Sequence, residues 1–454
     1  GTELWVADLG DNLDVGNREL VAGGETESVF QPEWSPAGVL HFVSDRSGWW
    51  NLYRWEDGGP RPLAPRDEEF GLPAWEFGSS TYCFMHDGRI ACVHGLAEDP
   101  HLGLLDPDKG TIDDLDLPFT YFGSHLATDG RRLAFAGATP TEPVALIQLD
   151  PADGSYRVLR SSHRERLDPG YISVPQPIEF PTENGRTAHA LFYPPANRDA
   201  RGPEGELPPL VTLSHGGPTA HSSVRFGLDI QFWTSRGFAV VDVNYGGSTG
   251  YGRDYRERLR GQWGIVDVAD CVNAAKHLAA QGLADGGRMA IRGGSAGGYV
   301  TLCAITFHDA FTAAASYFGI GDLETFVKDT HKFESRYCDG LIGPFPEAIE
   351  VYRERSPIHF LDRITSPVIL LQGLEDAIVP PSQAEQMVAA LDARGLPYAY
   401  VAFQGEQHGF RKAESIQRSI EAELYFYSRL WGFEPADRIE PVPIQNLPDG
   451  RSPR

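Results

Sequence analysis

The sequence predicts two fold classes in one chain, an all-β region followed by an α/β region with a doubly wound, mostly parallel sheet. In the first region, short apolar segments and glycine turns recur at a spacing of about 40 to 50 residues. In the second, continuous apolar runs alternate with helical patterns, as expected of parallel strands that are covered on both faces. A polar, charged stretch at 160–169 separates the two regions. We therefore expect one domain at 1–168, a second at 169–435 and a C-terminal tail at 436–454, with the chain loose from Glu434 onward.

Three segments of the first region, 32–55, 73–106 and 123–150, share one plan. Each has a lead-in segment, a glycine turn, an apolar strand, a loop and a second strand that ends near an acidic residue. This repetition predicts the blades of a β-propeller, with a β-sandwich as the alternative. At about 40 to 45 residues per blade, residues 1–168 hold about four blades. Residues 4–8 look like the end of a further blade that is incomplete.

The segment 293–298, Gly-Gly-Ser-Ala-Gly-Gly, predicts a nucleophile in the second region. It follows an apolar, strand-like run at 288–291 and precedes a helix-like run at 299–307. A serine at such a strand-to-helix turn has a strained backbone, and only residues without bulk fit two positions before and two positions after it. Both positions are glycine around Ser295. We therefore expect an exposed serine at a helix N-terminus, which favours developing negative charge.

Candidate partners for this serine follow two later apolar runs, each of which predicts a buried parallel strand. Asp376 lies just beyond the first run and His408 on the loop after the second. Open α/β sheets place their chemistry at the carboxyl ends of strands. Ser295, Asp376 and His408 thus occur in the chain order of an α/β-hydrolase, in which His408 would accept the serine proton and a buried Asp376 would orient the imidazole. Glu375 is the alternative acid, because one sequence does not fix the loop register.

A glycine loop predicts the oxyanion hole. The strand expected at 210–213 runs into Ser-His-Gly-Gly-Pro at 214–218, which resembles the loop that lends a backbone N–H in lipases and esterases. Gly217 or Gly216, together with the N–H of Ala296, would make a two-donor site for a tetrahedral intermediate. The alternative is a plain Gly-Pro turn.

These motifs, together with a glycine-rich segment at 242–252, resemble the prolyl oligopeptidase family of serine peptidases over about 175–435, in particular its acylaminoacyl-peptidase and dipeptidyl-peptidase-like branches. The resemblance assigns the same triad and the oxyanion pair Gly217 and Ala296. It also implies a β-propeller that covers the active site and admits only short or unfolded peptides. The propeller of this family usually has more than the roughly four blades expected here. We therefore expect this chain to be the C-terminal part of a longer polypeptide, either nicked or presented without its first blades, and an N-terminal fragment of the same polypeptide to complete the propeller.

Substrate-binding residues are expected in an insertion that follows a strand predicted at 313–318. By the resemblance, Phe326, Phe333 and Val379 are candidate apolar walls for the side chain before the scissile bond, with ordinary helix packing as the alternative. Glu334 could bind a free substrate amino group, and a salt bridge with Arg336 is the other interpretation. Dipeptidyl peptidases of the family carry Tyr where this chain has Ala296, so a strict proline-sized pocket is not expected.

Three functions fit these residues. The first is a serine exopeptidase that releases an aminoacyl, acylaminoacyl or dipeptidyl unit from short peptides or aminoacyl amides through an acyl-enzyme. The second is a carboxylesterase or amidase for small molecules, which would use the same triad. The third is an idle scaffold that binds partners through its propeller, and the intact catalytic positions argue against it.

Composition narrows the partners. The chain has 454 residues, a formal net charge of -24 and no cluster of basic residues, so neither nucleic acid nor an anionic membrane is an expected partner. No apolar run reaches the length of a membrane span. The five cysteines lack the spacing of a zinc site, and we expect no metal, no cofactor and a cytoplasmic location. The resemblance also allows a homo-oligomer. With Asp87-Gly88 as a two-residue turn, Cys83 and Cys92 would lie opposite each other and pack, with a disulfide as the alternative.

Overall fold

The computed structural model describes residues 2–75, 77–163, 166–330, 332–364 and 366–447. The chain divides into two compact units. Unit 1 comprises Gly1–Pro169, Ser223–Leu228 and Ser248–Glu257, and unit 2 comprises Gly170–Ser222, Asp229–Gly247 and Arg258–Arg454. Two short segments that lie beyond the separating stretch at 160–169 therefore belong to unit 1, which the sequence interpretation did not foresee. Of the separating stretch at 160–169, residues 164 and 165 lie outside the described ranges.

Unit 1 contains a two-stranded antiparallel sheet followed by three four-stranded antiparallel sheets. Within each sheet, strands that follow each other in the chain are paired. The strands are β1 (Glu3–Leu9) and β2 (Val15–Gly23); β3 (Val29–Trp34), β4 (Leu40–Ser44), β5 (Asn51–Glu56) and β6 (Gly59–Pro62); β7 (Tyr82–Phe84), β8 (Ile90–Leu96), β9 (Asp99–Asp106) and β10 (Thr111–Asp114); and β11 (Tyr121–Thr128), β12 (Leu133–Ala138), β13 (Ala145–Leu149) and β14 (Tyr156–Ser161).

The sheet β7–β10 buries both of its faces, which distinguishes stacked blades from a two-sheet sandwich. On one face, Ile90 and Leu105 pack in a cluster with side chains of β3–β5, such as Val43. On the other face, Leu104 packs in a second cluster with side chains of β11–β13, such as Phe135. Successive sheets therefore share cores as propeller blades do, and the β-sandwich alternative is wrong.

The hairpin β7–β8 corrects the predicted pairing of two cysteines. Cys83 lies opposite Ala91, and Cys92 lies opposite Tyr82. In the connection between the two strands, the N–H of Met85 donates a hydrogen bond to the carbonyl oxygen of Arg89. The loop therefore has three residues instead of two, and the strand register is shifted by one position. The two thiols consequently point to opposite faces of the sheet, and all five cysteines of the chain are buried and free.

A buried carboxylate explains why the segment 248–257 belongs to unit 1. Asp45, only 1% exposed, follows β4 and binds the guanidinium groups of Arg253, at 2.9 Å, and Arg256. Glu69, which is also buried, accepts a hydrogen bond from the N–H of Gly252 at 3.1 Å. Because unpaired buried charges are costly, these contacts fix the segment to the blades.

Unit 2 contains one eight-stranded sheet in the order β15-β16-β18-β17-β19-β20-β21-β22. The first two pairings are antiparallel and the other five are parallel. Its strands are β15 (Gln176–Pro181), β16 (Thr187–Tyr193), β17 (Leu210–Ser214), β18 (Ala239–Asn244), β19 (Met289–Gly294), β20 (Ala313–Tyr317), β21 (Val368–Gly373) and β22 (Tyr398–Phe403). The α-helices of the chain are α1 (Leu228–Thr234), α2 (Arg253–Arg256), α3 (Val266–Ala280), α4 (Ala296–Phe307), α5 (Leu323–Asp329), α6 (Tyr337–Leu341), α7 (Ile349–Glu354), α8 (Pro381–Ala393) and α9 (Ala413–Trp431).

The parallel strands are buried and the helices form the outer layers of unit 2. Every residue of β20 and β21 is buried, which explains their continuous apolar character. Cys271 on α3 is buried in the same core, as the helical pattern predicted. The carboxyl ends of the six parallel strands lie at one edge of the sheet, so the loops that follow them meet there. Within the described part of the chain, none of the helices is both long and apolar enough to cross a membrane.

The C-terminal tail is bound to the rest of unit 2 as far as residue 446. Asp437 forms an ion pair with Arg236 at 2.8 Å, and Val442 is buried. Gln445 exchanges two backbone hydrogen bonds with Tyr398 on the edge strand β22, of 2.8 and 3.2 Å. The expectation of a loose tail from Glu434 is therefore wrong for these residues, because the open edge of β22 offers unpaired backbone groups that the tail satisfies. Residues 448–454 lie outside the described ranges.

Candidate active site

Ser295 lies on the sharp turn between β19 and α4. Its φ of 57° and ψ of -120° are strained for a residue with a side chain, and its N–H donates to the carbonyl oxygen of Tyr317 at 3.0 Å. A Cβ atom on Gly293 would lie 2.5 Å from the backbone of Gly297, and one on Gly297 would lie 2.1 Å from the carbonyl oxygen of Ser214. The glycines two positions before and after the serine are thus required by close backbone approach, as the motif predicted.

Asp376 and His408 form a hydrogen-bonded pair at the same edge of the sheet. Oδ2 of Asp376 lies 2.8 Å from Nδ1 of His408, and Oδ1 accepts the N–H groups of Ile378 and Val379 at 2.9 Å each. The Asp376 side chain has no exposed surface, whereas the His408 side chain retains 19% exposure. Because a carboxylate only accepts hydrogen bonds, Nδ1 is the donor in this contact, and Nε2 is the acceptor of the neutral imidazole. Glu375, the alternative acid, is exposed and does not take this place.

The loop at 214–218 lies beside the nucleophile. A Cβ built on Gly216 would lie 3.7 Å from Cβ of Ser295, and Gly217 has a φ of 121° that favours glycine. The loop is held by Tyr245, which follows β18: its ring stacks on that of His215 at 4.2 Å, and its hydroxyl donates to the His215 carbonyl oxygen at 3.0 Å. Burial lowers the pKa of His215 to about 4, so this imidazole is neutral at pH 7. The roles of Gly217 and Ala296 as oxyanion donors stay predictions.

The predicted substrate-binding residues lie in different surroundings. Val379 has no exposed surface and supports Asp376 through its N–H, so the structure does not support its role as a pocket wall. Phe326 is 6% exposed and packs in the same core, where ordinary helix packing accounts for it. The side chain of Phe333 lies outside the described residues.

Glu334 is half-buried and accepts a hydrogen bond from the hydroxyl of Thr330 at 3.1 Å. Arg336, the partner considered for it, pairs instead with Asp339 at 3.1 Å. Three residues after Glu334, the hydroxyl of Tyr337 lies 2.6 Å from that of Thr219, two residues beyond Gly217. The insertion that carries Glu334 is therefore hydrogen-bonded to the segment that continues the glycine loop.

Sequence reasoning missed a buried polar network beneath the nucleophile. Arg292 on β19 forms an ion pair with Glu423 on α9, with Nε 3.0 Å from Oε1, and Glu423 has no exposed surface. The hydroxyl groups of Tyr317 and Tyr427 donate to the same carboxylate at 2.5 and 2.8 Å. The available signal was one charged residue within an apolar strand and another within an apolar helix face. Among the described residues, no group of three or more His, Cys, Asp or Glu side chains is arranged to hold a metal ion.

The fold and the site define an α/β-hydrolase with a serine elbow and an Asp–His pair on neighbouring strand ends. A profile of the prolyl oligopeptidase family matches residues 224–433. The chain is 46% identical to a Mycobacterium tuberculosis puromycin-hydrolyzing peptidase of known structure, with a TM-score of 0.95 over 98% of this chain and 67% of that chain. For a puromycin hydrolase crystal structure the identity is 41% and the TM-score 0.93, over 97% of this chain and 67% of that one. The chain belongs to the prolyl oligopeptidase family.

A further relative is the dipeptidyl aminopeptidase BIII of Pseudoxanthomonas mexicana. It is 32% identical over 323 residues, which are 69% of this chain and 46% of that protein. The chain thus spans less than half the length of this relative.

Proposed function

We propose that this protein is a serine exopeptidase that releases an N-terminal aminoacyl, acylaminoacyl or dipeptidyl unit from short peptides or aminoacyl amides. The observation that carries the proposal is the 2.8 Å contact between Nδ1 of His408 and the buried Asp376, because this contact leaves Nε2 of the neutral imidazole as the atom that can accept a proton.

The mechanism follows from the roles of these groups. His408 takes the proton of Ser295 as its oxygen attacks the substrate carbonyl carbon, and the N–H groups of Ala296 and Gly217 stabilise the oxyanion. His408 then gives that proton to the leaving amine as the carbon–nitrogen bond breaks and an acyl-enzyme forms. Water, deprotonated by His408, then attacks the acyl carbon. As the ester bond to Ser295 breaks, His408 returns the proton to the serine oxygen and the acyl unit leaves as a carboxylic acid. Asp376 holds the imidazole tautomer and stabilises its protonated form in both steps.

The preference for peptide N-termini is supported by the relatives. Proteins similar to this chain are named for dipeptidyl aminopeptidase, acylamino-acid-releasing and puromycin-hydrolysing activities. We propose that the half-buried carboxylate of Glu334 binds the free amino group of the substrate, because its segment is hydrogen-bonded to the one that follows Gly217. A carboxylate at this place would favour a positively charged amine over an acylated one.

A substrate panel tests this function. Wild type, Ser295→Ala and Glu334→Gln are compared on free aminoacyl, acetyl-aminoacyl and dipeptidyl anilides, on puromycin and on simple esters. We expect wild type to cleave at least one amide class, Ser295→Ala to cleave none, and Glu334→Gln to lose the preference for a free amine. Fast turnover of esters without cleavage of any amide would contradict the exopeptidase function and would indicate a carboxylesterase instead.

We also propose that strands from a polypeptide segment outside this sequence complete unit 1. The two-stranded sheet β1–β2 exposes large apolar side chains, including Trp5 and Leu9, whereas the three other sheets of unit 1 have four strands each. The sheet β11–β14 likewise exposes Tyr156, Val158 and Leu159, all on its edge strand β14. Exposed apolar surface of this kind is typical of an interface. An intact mass of 49.9 kDa for the protein from its native source, with no companion fragment, would contradict the proposal.

A further inference from the structure

The aromatic ring of Phe318 fills the space next to the residue that precedes the nucleophile. Phe318 follows β20, and its Cε2 and Cζ atoms lie 2.9 and 3.1 Å from the position that a Cβ atom would take on Gly294. The serine elbow requires small residues two positions before and after the serine, but not at the position directly before it. Gly294 also lacks the positive φ that would require glycine. The ring of Phe318 therefore explains why this position is a glycine.

The same ring contacts the predicted general base. The ring centroids of Phe318 and His408 are 4.9 Å apart, and the rings meet edge to face at an interplanar angle of 61°. Phe318 also packs against Phe410, with the centroids 5.5 Å apart. One side chain thus contacts both the backbone that carries Ser295 and the imidazole that must accept its proton.

The backbone of Phe318 is held in an unusual conformation. Its φ is 39°, in the left-handed region that side-chain-bearing residues rarely adopt. Its N–H donates to the carbonyl oxygen of Leu371 at 2.7 Å, and the preceding residue, Tyr317, is bound to Ser295 through its carbonyl oxygen and to Glu423 through its hydroxyl. Strained residues persist where the surroundings determine them fully, and they are concentrated at functional sites.

We propose that Phe318 is a positioning residue that sets the His408 ring against Ser295. It restricts rotation of the imidazole, so that Nε2 stays directed at the serine oxygen, and it is coupled to the elbow through its contact with Gly294. The role rests on the serine exopeptidase function proposed above. Phe318 acts through His408 and not through contact with the substrate.

The first test compares Phe318→Leu with Phe360→Leu. Phe360 is the matched aromatic control in unit 2, and it packs edge to face on Phe307 with the ring centroids 5.4 Å apart. Its described ring contacts do not include the triad. Two rates are measured: turnover of the best anilide and covalent labelling by a small fluorophosphonate, which reports the reactivity of the serine without a peptide side chain. We expect Phe318→Leu to lower kcat and the labelling rate about 10- to 100-fold, because small displacements of reacting groups have effects of this size.

In the same comparison, KM should change less than about threefold, since ground-state binding is untouched, and Phe360→Leu should match wild type in both rates. A change in KM alone would indicate that the Phe318 ring contacts the substrate in its binding pocket. If kcat and the labelling rate per folded molecule are unchanged in Phe318→Leu and only the melting temperature falls, the role of Phe318 is purely structural. Either result overturns the proposal.

The second test uses steric coupling and does not depend on whether Phe318→Leu folds well. Gly294→Ala should push the ring away and slow labelling, whereas adding Gly294→Ala to Phe318→Ala should slow labelling no further. Independent, additive effects would contradict the proposal. Ser295→Ala is the control for the proposed function. Labelling that persists in this variant, or a wild type that is not labelled, would overturn the proposed function. The positioning role of Phe318 would then be overturned as well.

Discussion

Oδ2 of Asp376 lies 2.8 Å from Nδ1 of His408, while its other oxygen accepts two backbone N–H groups. These bonds fix the carboxylate in a place without access to solvent. The imidazole therefore has one tautomer that satisfies the contact, with the proton on Nδ1. This relationship suits His408 to the role of general base that we propose for it.

Asp376→Asn should abolish most of the activity while leaving the protein folded. The amide can offer its NH₂ group to Nδ1 and stabilise the wrong tautomer, so we expect kcat to fall by about 10³- to 10⁴-fold. Glu375→Gln, an exposed neighbour, is the matched control and should retain wild-type kcat. The measurement is anilide turnover together with circular dichroism. Equal losses in both variants would show that the acid has been assigned to the wrong residue.

Gly297→Ala should be strongly destabilising. Its Cβ would lie 2.1 Å from the carbonyl oxygen of Ser214, a contact that backbone atoms cannot relieve without moving β17 away from α4. We expect the free energy of unfolding in urea to fall by at least about 2 kcal/mol. The control is Gly286→Ala, whose Cβ would meet its nearest neighbour at an ordinary 3.6 Å. Similar stabilities of the two variants would contradict the close approach of β17 and α4.

Glu423→Gln tests the buried network under the nucleophile. The substitution replaces the negative partner of Arg292 by a neutral one. Because Glu423 has no exposed surface, water cannot compensate for the lost charge at this position. Breaking a buried ion pair in this way should lower the free energy of unfolding by about 3 to 5 kcal/mol. Glu414→Gln, an exposed position at the start of the same helix, should change it by no more than about 1 kcal/mol. Urea unfolding of both variants provides the comparison, and a loss below 1 kcal/mol for Glu423→Gln would count against a structural role for the pair.

His215 should make stability sensitive to acid. Burial lowers its pKa to about 4, below its usual value, so between pH 6.5 and 4 the unfolded chain binds a proton that the folded protein does not. Stability from this residue is therefore fully present above pH 6.5 and is lost as the pH falls toward 4. His215→Phe keeps a ring to stack on Tyr245 and removes the titration.

Urea unfolding of wild type and His215→Phe across this pH range isolates the effect, because all other groups are shared. From pH 6.5 to 4, wild type should lose about 1 to 3 kcal/mol more than the variant. Parallel pH profiles would show that the imidazole is not held neutral by the fold.

The sequence predicted the strand ends that carry the candidate triad better than it predicted the packing around them. The strand ends that carry Ser295, Asp376 and His408 were predictable because buried parallel strands are continuous apolar runs and their carboxyl ends must meet. The one-position shift between Cys83 and Cys92 depended on the length of one hairpin loop, which residue types alone do not fix.

Three other features depend on tertiary contacts that no local pattern encodes. The tail reaches Tyr398 because β22 is an edge strand, and Val379 packs in the core of unit 2 while its N–H binds Asp376. Phe318 reaches His408 through a backbone conformation that sequence patterns do not predict for phenylalanine.

The most direct test of the proposed active site is to locate the residue that reacts with a fluorophosphonate. Wild type, Ser295→Ala and His408→Ala are each incubated with the probe, and the adduct is located by peptide mass mapping. We expect a single fast adduct on Ser295 of the wild type, none at this position in Ser295→Ala, and much slower labelling in His408→Ala. An adduct on another residue, or labelling of Ser295 that is equally fast without His408, would contradict the assignment of this site.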